Sequence, residues 1–256
     1  LSNSSDKVTV WIHMSQIKKA FIGLALLAVI IGVALYEVPT EKAWNYWALP
    51  LAGQVIALDA GHGGVDGGAV SPQGLIEKDI NLSVTLYLRD YLQQAGAVVV
   101  ITREDDRDLA SPDTKSYKER KTEDLKSRLR FVEEKSAKMF VSIHMNSFPS
   151  DRWSGAQTFY PGHQPESAHL ADLVQQELKR NLENTDRVAK KAENVFLMDS
   201  IKIPSVLVEV GFLSHPEESK LLGDQEYQRK VAASIYNGIL RYSSGERTSP
   251  SAGSIR

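Results

Sequence analysis

The spacing of apolar positions changes several times along this chain, and each change marks an element. The longest apolar run is Ala20 to Tyr36, AFIGLALLAVIIGVALY, which carries no charge; Lys18 and Lys19 precede it and Glu37 and Glu41 follow. A bilayer core takes roughly 20 apolar residues, with about 17 as the lower limit. Lysines before the run and acids after it keep the amino end in the cytoplasm and send the chain beyond Tyr36 outside. An uncleaved anchor is the preferred reading, because the best small-x-small cleavage candidate, Gly32-Val33-Ala34, is weak; a removed signal peptide is the alternative. Residues 1–13 precede the first methionine, Met14, and read as an upstream extension from an alternative start; the amino-terminal extension as a whole spans 1–19. Residues 37–53 contain Pro39, Pro50, Trp44 and Trp47. They read as a linker whose aromatic rings rest at a membrane surface or against the domain.

From residue 54 the pattern alternates between short apolar runs and helical spacing. Val55-Ile56-Ala57-Leu58 ends in a glycine cluster and predicts a buried strand entering a loop. Residues 78–94 place Ile80, Val84, Tyr87, Leu88, Tyr91 and Leu92 on one face of a helix, with Gly96 as its stop. Strands are predicted over 98–102, 139–144, 156–160 and 206–210, and helices over 124–136, 167–182 and 225–242. Residues 103–122, charged and carrying Pro112, read as a long loop and a candidate wall of a substrate groove. Residues 243–256 are rich in Ser and Gly and read as a flexible tail. Strand and helix in alternation make an α/β fold, a single domain over 54–242 with a twisted, mostly parallel sheet flanked by helices.

Composition narrows the chemistry. The chain has 256 residues and a formal charge of −2, without the basic surplus of a nucleic-acid binder, so no nucleic-acid partner is expected. It has no cysteine, so disulfides, thiolate nucleophiles and cysteine zinc knuckles are excluded. A metal must be held by His, Asp and Glu.

Three apolar runs end in residues able to do such chemistry: Asp59-Ala60-Gly61-His62-Gly63-Gly64, Ser142-Ile143-His144-Met145-Asn146, and Glu209-Val210-Gly211-Phe212. Ligand sites of open α/β sheets lie outside the carboxyl ends of the strands, so parallel strands bring His62, His144 and Glu209 to one rim. Two imidazoles, a carboxylate and a water form a common catalytic zinc shell. The carboxylate is Glu77 or Glu209. Glu77 opens a helix, whose dipole favours an anion, a short loop after His62, so it is assigned to the metal and Glu209 to acid–base work. An acid within Val-Leu-Val-Glu-Val is costly to bury without a partner. His13, His163, His169 and His215 read as solvated.

Together with Asp66-Gly67-Gly68-Ala69 and Glu77-Lys78-Asp79, these segments resemble the zinc-dependent N-acetylmuramoyl-L-alanine amidases of the type often called Amidase_3. The resemblance spans 54–242, with the motifs in family order. It implies one Zn2+ per chain on His62, Glu77 and His144, Glu209 as the catalytic acid/base, and a sheet of about six strands. The implied reaction is hydrolysis of the amide between the muramoyl lactyl group and L-alanine in peptidoglycan stem peptides. Asn146 and the glycine-rich loop after His62 are candidate substrate contacts. The apolar amino-terminal segment, the Trp-containing linker, Thr102-Arg103-Glu104, Trp153-Ser154-Gly155-Ala156-Gln157 and residues 177–185 are similar to the sporulation amidases of endospore-forming bacteria. That narrower likeness implies work in the space between the forespore membranes during cortex synthesis, on the route to muramic-δ-lactam. It also implies functional coupling to a muramic acid deacetylase. A protein activator is a possible partner. The rival readings are a vegetative wall amidase, a deacetylase or peptidase on a similar zinc shell, and a non-catalytic wall-binding protein.

Overall fold

The computed structural model describes residues 13–36 and 49–247. The predicted linker tryptophans, Trp44 and Trp47, and most of the predicted extension and tail lie outside the described residues. The chain divides into two units, residues 1–48 and 49–256.

The first unit contains helix α1, Met14–Leu35, 22 residues whose apolar side chains are exposed all round. At 1.5 Å per residue it is about 33 Å long, close to the hydrocarbon thickness of a bilayer. By length and composition it can cross a membrane.

The second unit is built on six strands: β1 Val55–Ala60, β2 Val98–Ile101, β3 Met139–Asn146, β4 Gln157–Tyr160, β5 Lys190–Lys191 and β6 Ser205–Phe212. Their order across the sheet is β2-β1-β3-β6-β4-β5. The first four strands in that order are mutually parallel; β4 runs antiparallel to β6, and β5 parallel to β4. The sheet is therefore mostly parallel, as the alternating pattern predicts.

Helices α2 (Glu77–Gln94), α4 (Pro165–Leu182) and α7 (Gln225–Ser243) cover one face. There Ile80, Val84, Leu88, Leu170, Val174 and Ile235 pack on Ile56, Leu58, Val141 and Val208. Helix α3 (Tyr117–Glu134) and the short α5 (Phe196–Ser200) cover the other, where Val132, Leu197 and Met198 meet Ala57, Phe140 and Leu207. A further short helix, α6 (Pro216–Leu222), follows β6. The period-two alternation sends the side chains of β1, β2, β3 and β6 to both layers, so most positions in these four strands are apolar.

Helix α3 begins at Tyr117, seven residues before the predicted start at Asp124. Its first turns are held by polar contacts that a hydrophobic stripe does not register. Arg120 forks onto both Asp108 oxygens at 2.7 Å and donates to the Ser111 and Thr114 carbonyls. Three histidines read as solvated are instead bonded. His215 caps α6 by accepting from the Glu218 amide, His163 contacts the Ile201 carbonyl at 3.3 Å, and His169 contacts the Glu246 carbonyl.

Candidate metal centre

The parallel register places His144 of β3 directly beside Glu209 of β6, and Asp59 of β1 beside Ser142 of β3. His62 follows β1 by two residues, and Glu77 is the first residue of α2. These elements bring His62, Glu77 and His144 together although 82 positions separate the outer two. Glu77 Oε1 lies 3.1 Å from His62 Nε2 and 3.1 Å from His144 Nδ1. One donor atom from each residue falls within 4.8 Å of the other two, a group able to hold a metal ion. Two nitrogens and one carboxylate oxygen converging on a point suit Zn2+, which takes such donors in tetrahedral sites and leaves the fourth position open in catalytic ones.

Backbone amides fix Glu77. Its Oε2 accepts from the Ala69 amide at 2.8 Å, and its Oε1 from the Met145 amide at 3.0 Å and Asn81 Nδ2 at 3.3 Å. Burial acts to raise its pKa, but hydrogen bonds from His144 and His62 hold the carboxyl far below its ordinary value. Two glycines make room. A Cβ on Gly61 would sit 2.3 Å from His144 Cε1, and one on Gly68, at φ +70°, 2.5 Å from Glu77 Oε2.

His62 has φ +63°, the left-handed region that a non-glycine residue enters only when its surroundings hold it there. Two buried arginines do the holding. Arg128 of α3 donates to the His62 carbonyl at 2.6 Å and the Ala60 carbonyl at 2.9 Å. Arg103 donates to the carbonyls of Ala60 at 2.9 Å, Gly61 at 3.0 Å and Lys78 at 2.8 Å. Arg128 is balanced by Asp59 and Asp124. Burial alone would raise the Asp59 carboxyl; Arg128 with the Ser142 and Thr102 hydroxyls brings it down to about 2. Asp59 and Arg103 stand in quoted segments, yet the pattern gives neither a role, and Arg128 lies outside those segments. The signal of the arginines in the sequence is a cation placed among buried positions, Arg128 beside Leu125, Leu129 and Val132, which demands a buried partner.

Glu209 has the opposite setting. Its Oε2 is buried with no hydrogen-bond partner among the described residues. Burial pushes its pKa up to about 7; the nearby His144 and His62 rings oppose the rise and the Glu77 charge adds to it. A carboxyl poised near neutrality beside a candidate metal cluster is suited to taking up and releasing a proton. Asn146 ends β3, where the pairing with β6 shifts by one residue, and its carbonyl accepts from the Leu213 amide at 2.9 Å. No hydrogen bond joins its side chain to the cluster among the described residues.

A cavity of about 300 Å³ opens beside the cluster, lined by His62, His144, Lys121, Leu125, Phe196 and Leu207 among others. This cavity is walled by α3 and the segment entering α5, and the loop after residue 103 contributes no residue to it ahead of α3. That loop lines a separate cavity of about 460 Å³ with Ser127, Arg130 and Phe131.

A mostly parallel α/β sheet carries on one rim a His-Glu-His group able to hold a metal ion and a glutamate whose Oε2 lacks a hydrogen-bond partner among the described residues, an arrangement suited to a hydrolase. The profile of the N-acetylmuramoyl-L-alanine amidase family matches residues 56–241, and the chain belongs to that family. It is an amidase of the class named for the bond between an N-acetylmuramoyl group and L-alanine. Among its relatives, the germination-specific N-acetylmuramoyl-L-alanine amidase of Bacillus subtilis (strain 168) is 51% identical over 207 residues, covering 81% of this chain and 87% of that protein. The CwlD amidase of Clostridioides difficile, solved in complex with the GerS lipoprotein, is 43% identical with a TM-score of 0.74, covering 76% of this chain and 100% of that one. The catalytic domain of CwlV, an amidase of Bacillus (Paenibacillus) polymyxa var. colistinus, is 34% identical with a TM-score of 0.64, covering 74% and 97%.

Proposed function

We propose that this amidase removes stem peptides from peptidoglycan during synthesis of the spore cortex, with Zn2+ held by His62, Glu77 and His144 and with Glu209 as the proton carrier. The observation that carries the chemistry is the convergence of three donor atoms within 4.8 Å beside a buried carboxylate oxygen that has no hydrogen-bond partner among the described residues. When bound, the zinc ion supplies Lewis-acid polarisation of the lactyl carbonyl and makes the attacking water acidic enough to ionise near neutrality. Glu209 accepts the proton of that water and delivers it to the departing L-alanine nitrogen. Its raised pKa, about 7, matches both halves of that task. Asn146 and the glycine-rich loop after His62 contact the substrate.

The likeness to a germination-specific relative supports the cortex role, on the route to muramic-δ-lactam through a separate muramic acid deacetylase. Residues 20–36, helical up to Leu35, anchor the enzyme or export it as a signal segment, so the catalytic domain, 54–242, works outside the cytoplasm between the forespore membranes. The relative solved with a lipoprotein supports a protein activator for this chain as well.

The test is zinc content and mass spectrometry of peptidoglycan digested by the purified chain and by its Glu209→Ala variant. One zinc in each, with stem peptides released only by the parent, is the expected outcome. Acetyl loss from the glycan, shortened stems, or the absence of zinc would each overturn the assignment.

A further inference from the structure

The structure assigns to Asp66 a role as the positioning residue that turns His62 towards the metal, an inference that rests on the metal reading above. His62 Nδ1 lies 3.0 Å from Asp66 Oδ2, while its Nε2 faces Glu77 Oε1. Both ring nitrogens face carboxylates, which only accept hydrogen bonds; a metal held at Nε2 beside Glu77 would leave the one remaining ring proton on Nδ1, where Asp66 accepts it. A tight turn makes the contact. The Gly63 amide donates to the Asp66 carbonyl at 2.9 Å and the Asp66 amide returns a bond to the Gly63 carbonyl at 3.1 Å. This closure folds Asp66 back against the ring of the left-handed His62.

Asp66 is itself held from the other wall of the groove. Lys121 Nζ donates to Oδ2 at 3.0 Å, Tyr117 OH to Oδ1 at 3.2 Å, and the Gly68 amide to Oδ1 at 3.2 Å. Its two oxygens are therefore engaged by four donors, which directs the carboxylate to orient a ligand rather than to serve as one. The unpredicted first turns of α3 exist in part to make this bond, since Tyr117 and Lys121 both lie ahead of the predicted helix start. Outer groups that orient a ligating histidine commonly govern metal affinity by about 10- to 100-fold.

The experiment measures zinc dissociation constants by chelator competition for the whole chain and for Asp66→Ala and Asp66→Asn. It also records the His62 imidazole 15N shifts of the zinc-loaded parent. Asp66→Ala is expected to weaken zinc about 10- to 100-fold, and Asp66→Asn, which keeps a neutral acceptor, to recover part of that loss. The parent ring is expected to carry its proton on Nδ1. A purely structural Asp66 would lower the melting temperature of the zinc-free protein and leave zinc affinity unchanged, which refutes the role. Should Asp66→Ala not fold, a proton on Nε2 in the parent, or full parental affinity in Asp66→Asn, refutes it equally. A parent that binds zinc and releases stem peptides beside an unaltered variant removes only the role of Asp66. A parent that binds no zinc removes the metal reading itself.

Discussion

Replacing Arg128 with methionine tests the claim that a buried ion network supports the turn carrying His62. The change keeps most of the side-chain volume and removes the ion pairs to Asp59 and Asp124 with the bonds to the Ala60 and His62 carbonyls. Arg128 and Asp59 are both almost fully buried, so water does not replace the lost partner. Breaking a buried pair from one side costs about 3–5 kcal/mol. The Asp59 shift, from 3.8 to about 2, independently corresponds to about 2 kcal/mol of favourable interaction with the ionised carboxylate. For a domain of this size a melting temperature falls roughly 2–4 °C per kcal/mol, so Arg128→Met should lose about 6–20 °C in the zinc-free protein at neutral pH.

The sign with pH follows from the same group. A depressed folded-state pKa contributes stability that is complete above the ordinary value of 3.8 and is lost as pH falls through about 2. In the variant, burial no longer opposed by Arg128 raises the Asp59 pKa, so the penalty is largest at neutral pH and shrinks in acid. Thermal unfolding followed by circular dichroism reads both effects, and Asp59→Asn combined with Arg128→Met should recover more than half the loss. A single variant that loses less than about 1 kcal/mol, or a double variant no more stable than the single, would refute the reasoning.

Glu209→Gln should retain zinc and lose about 10²- to 10⁴-fold in kcat, the usual worth of a positioned proton carrier, in assays of released stem peptide. The same substitution should stabilise the zinc-free protein by about 3 kcal/mol at pH 8, because a carboxyl raised from 4.5 to about 7 loses folding free energy as pH climbs between those values. The gain should vanish below the ordinary value, which urea unfolding at several pH values would check. Gly61→Ala should displace the His144 ring, whose Cε1 would lie 2.3 Å from the new Cβ, and lower zinc content measured by atomic absorption while the protein stays folded. Chelation should abolish activity, and zinc at about 1,000 times its dissociation constant should add roughly 4 kcal/mol to stability. That zinc affinity should weaken as pH falls below about 9. Burial lowers the His62 pKa, but Asp66 and Glu77 outweigh it and raise it to about 9, so the ion displaces a proton there. Titration calorimetry in two buffers would detect the proton released.

Most of the architecture follows from local rules legible in the chain. The strands at Val55, Val98, Met139 and Val206 are apolar runs bounded by polar residues, and α2, α4 and α7 are apolar stripes at helical spacing. Each gains its stability by burying one pattern, so the pattern predicts it. Likewise His62, His144 and Glu209 each stand where an apolar strand ends, and Glu77 stands where a helix begins. Parallel register then brings them to one rim.

Local patterning thus sets the strand ends and helix starts at which chemistry can be placed, and the apolar helix that precedes them. How those ends are oriented depends on contacts made only in the folded domain. The left-handed turn at His62 is held by Arg103 and Arg128, which come from 41 and 66 positions further along the chain. Asp66 is pinned by Tyr117 and Lys121, in helical turns that carry no apolar stripe. Hydrophobic burial is additive and periodic, so it leaves a trace in spacing. A buried ion or hydrogen bond depends on which distant partner arrives within about 3 Å, and no spacing encodes that.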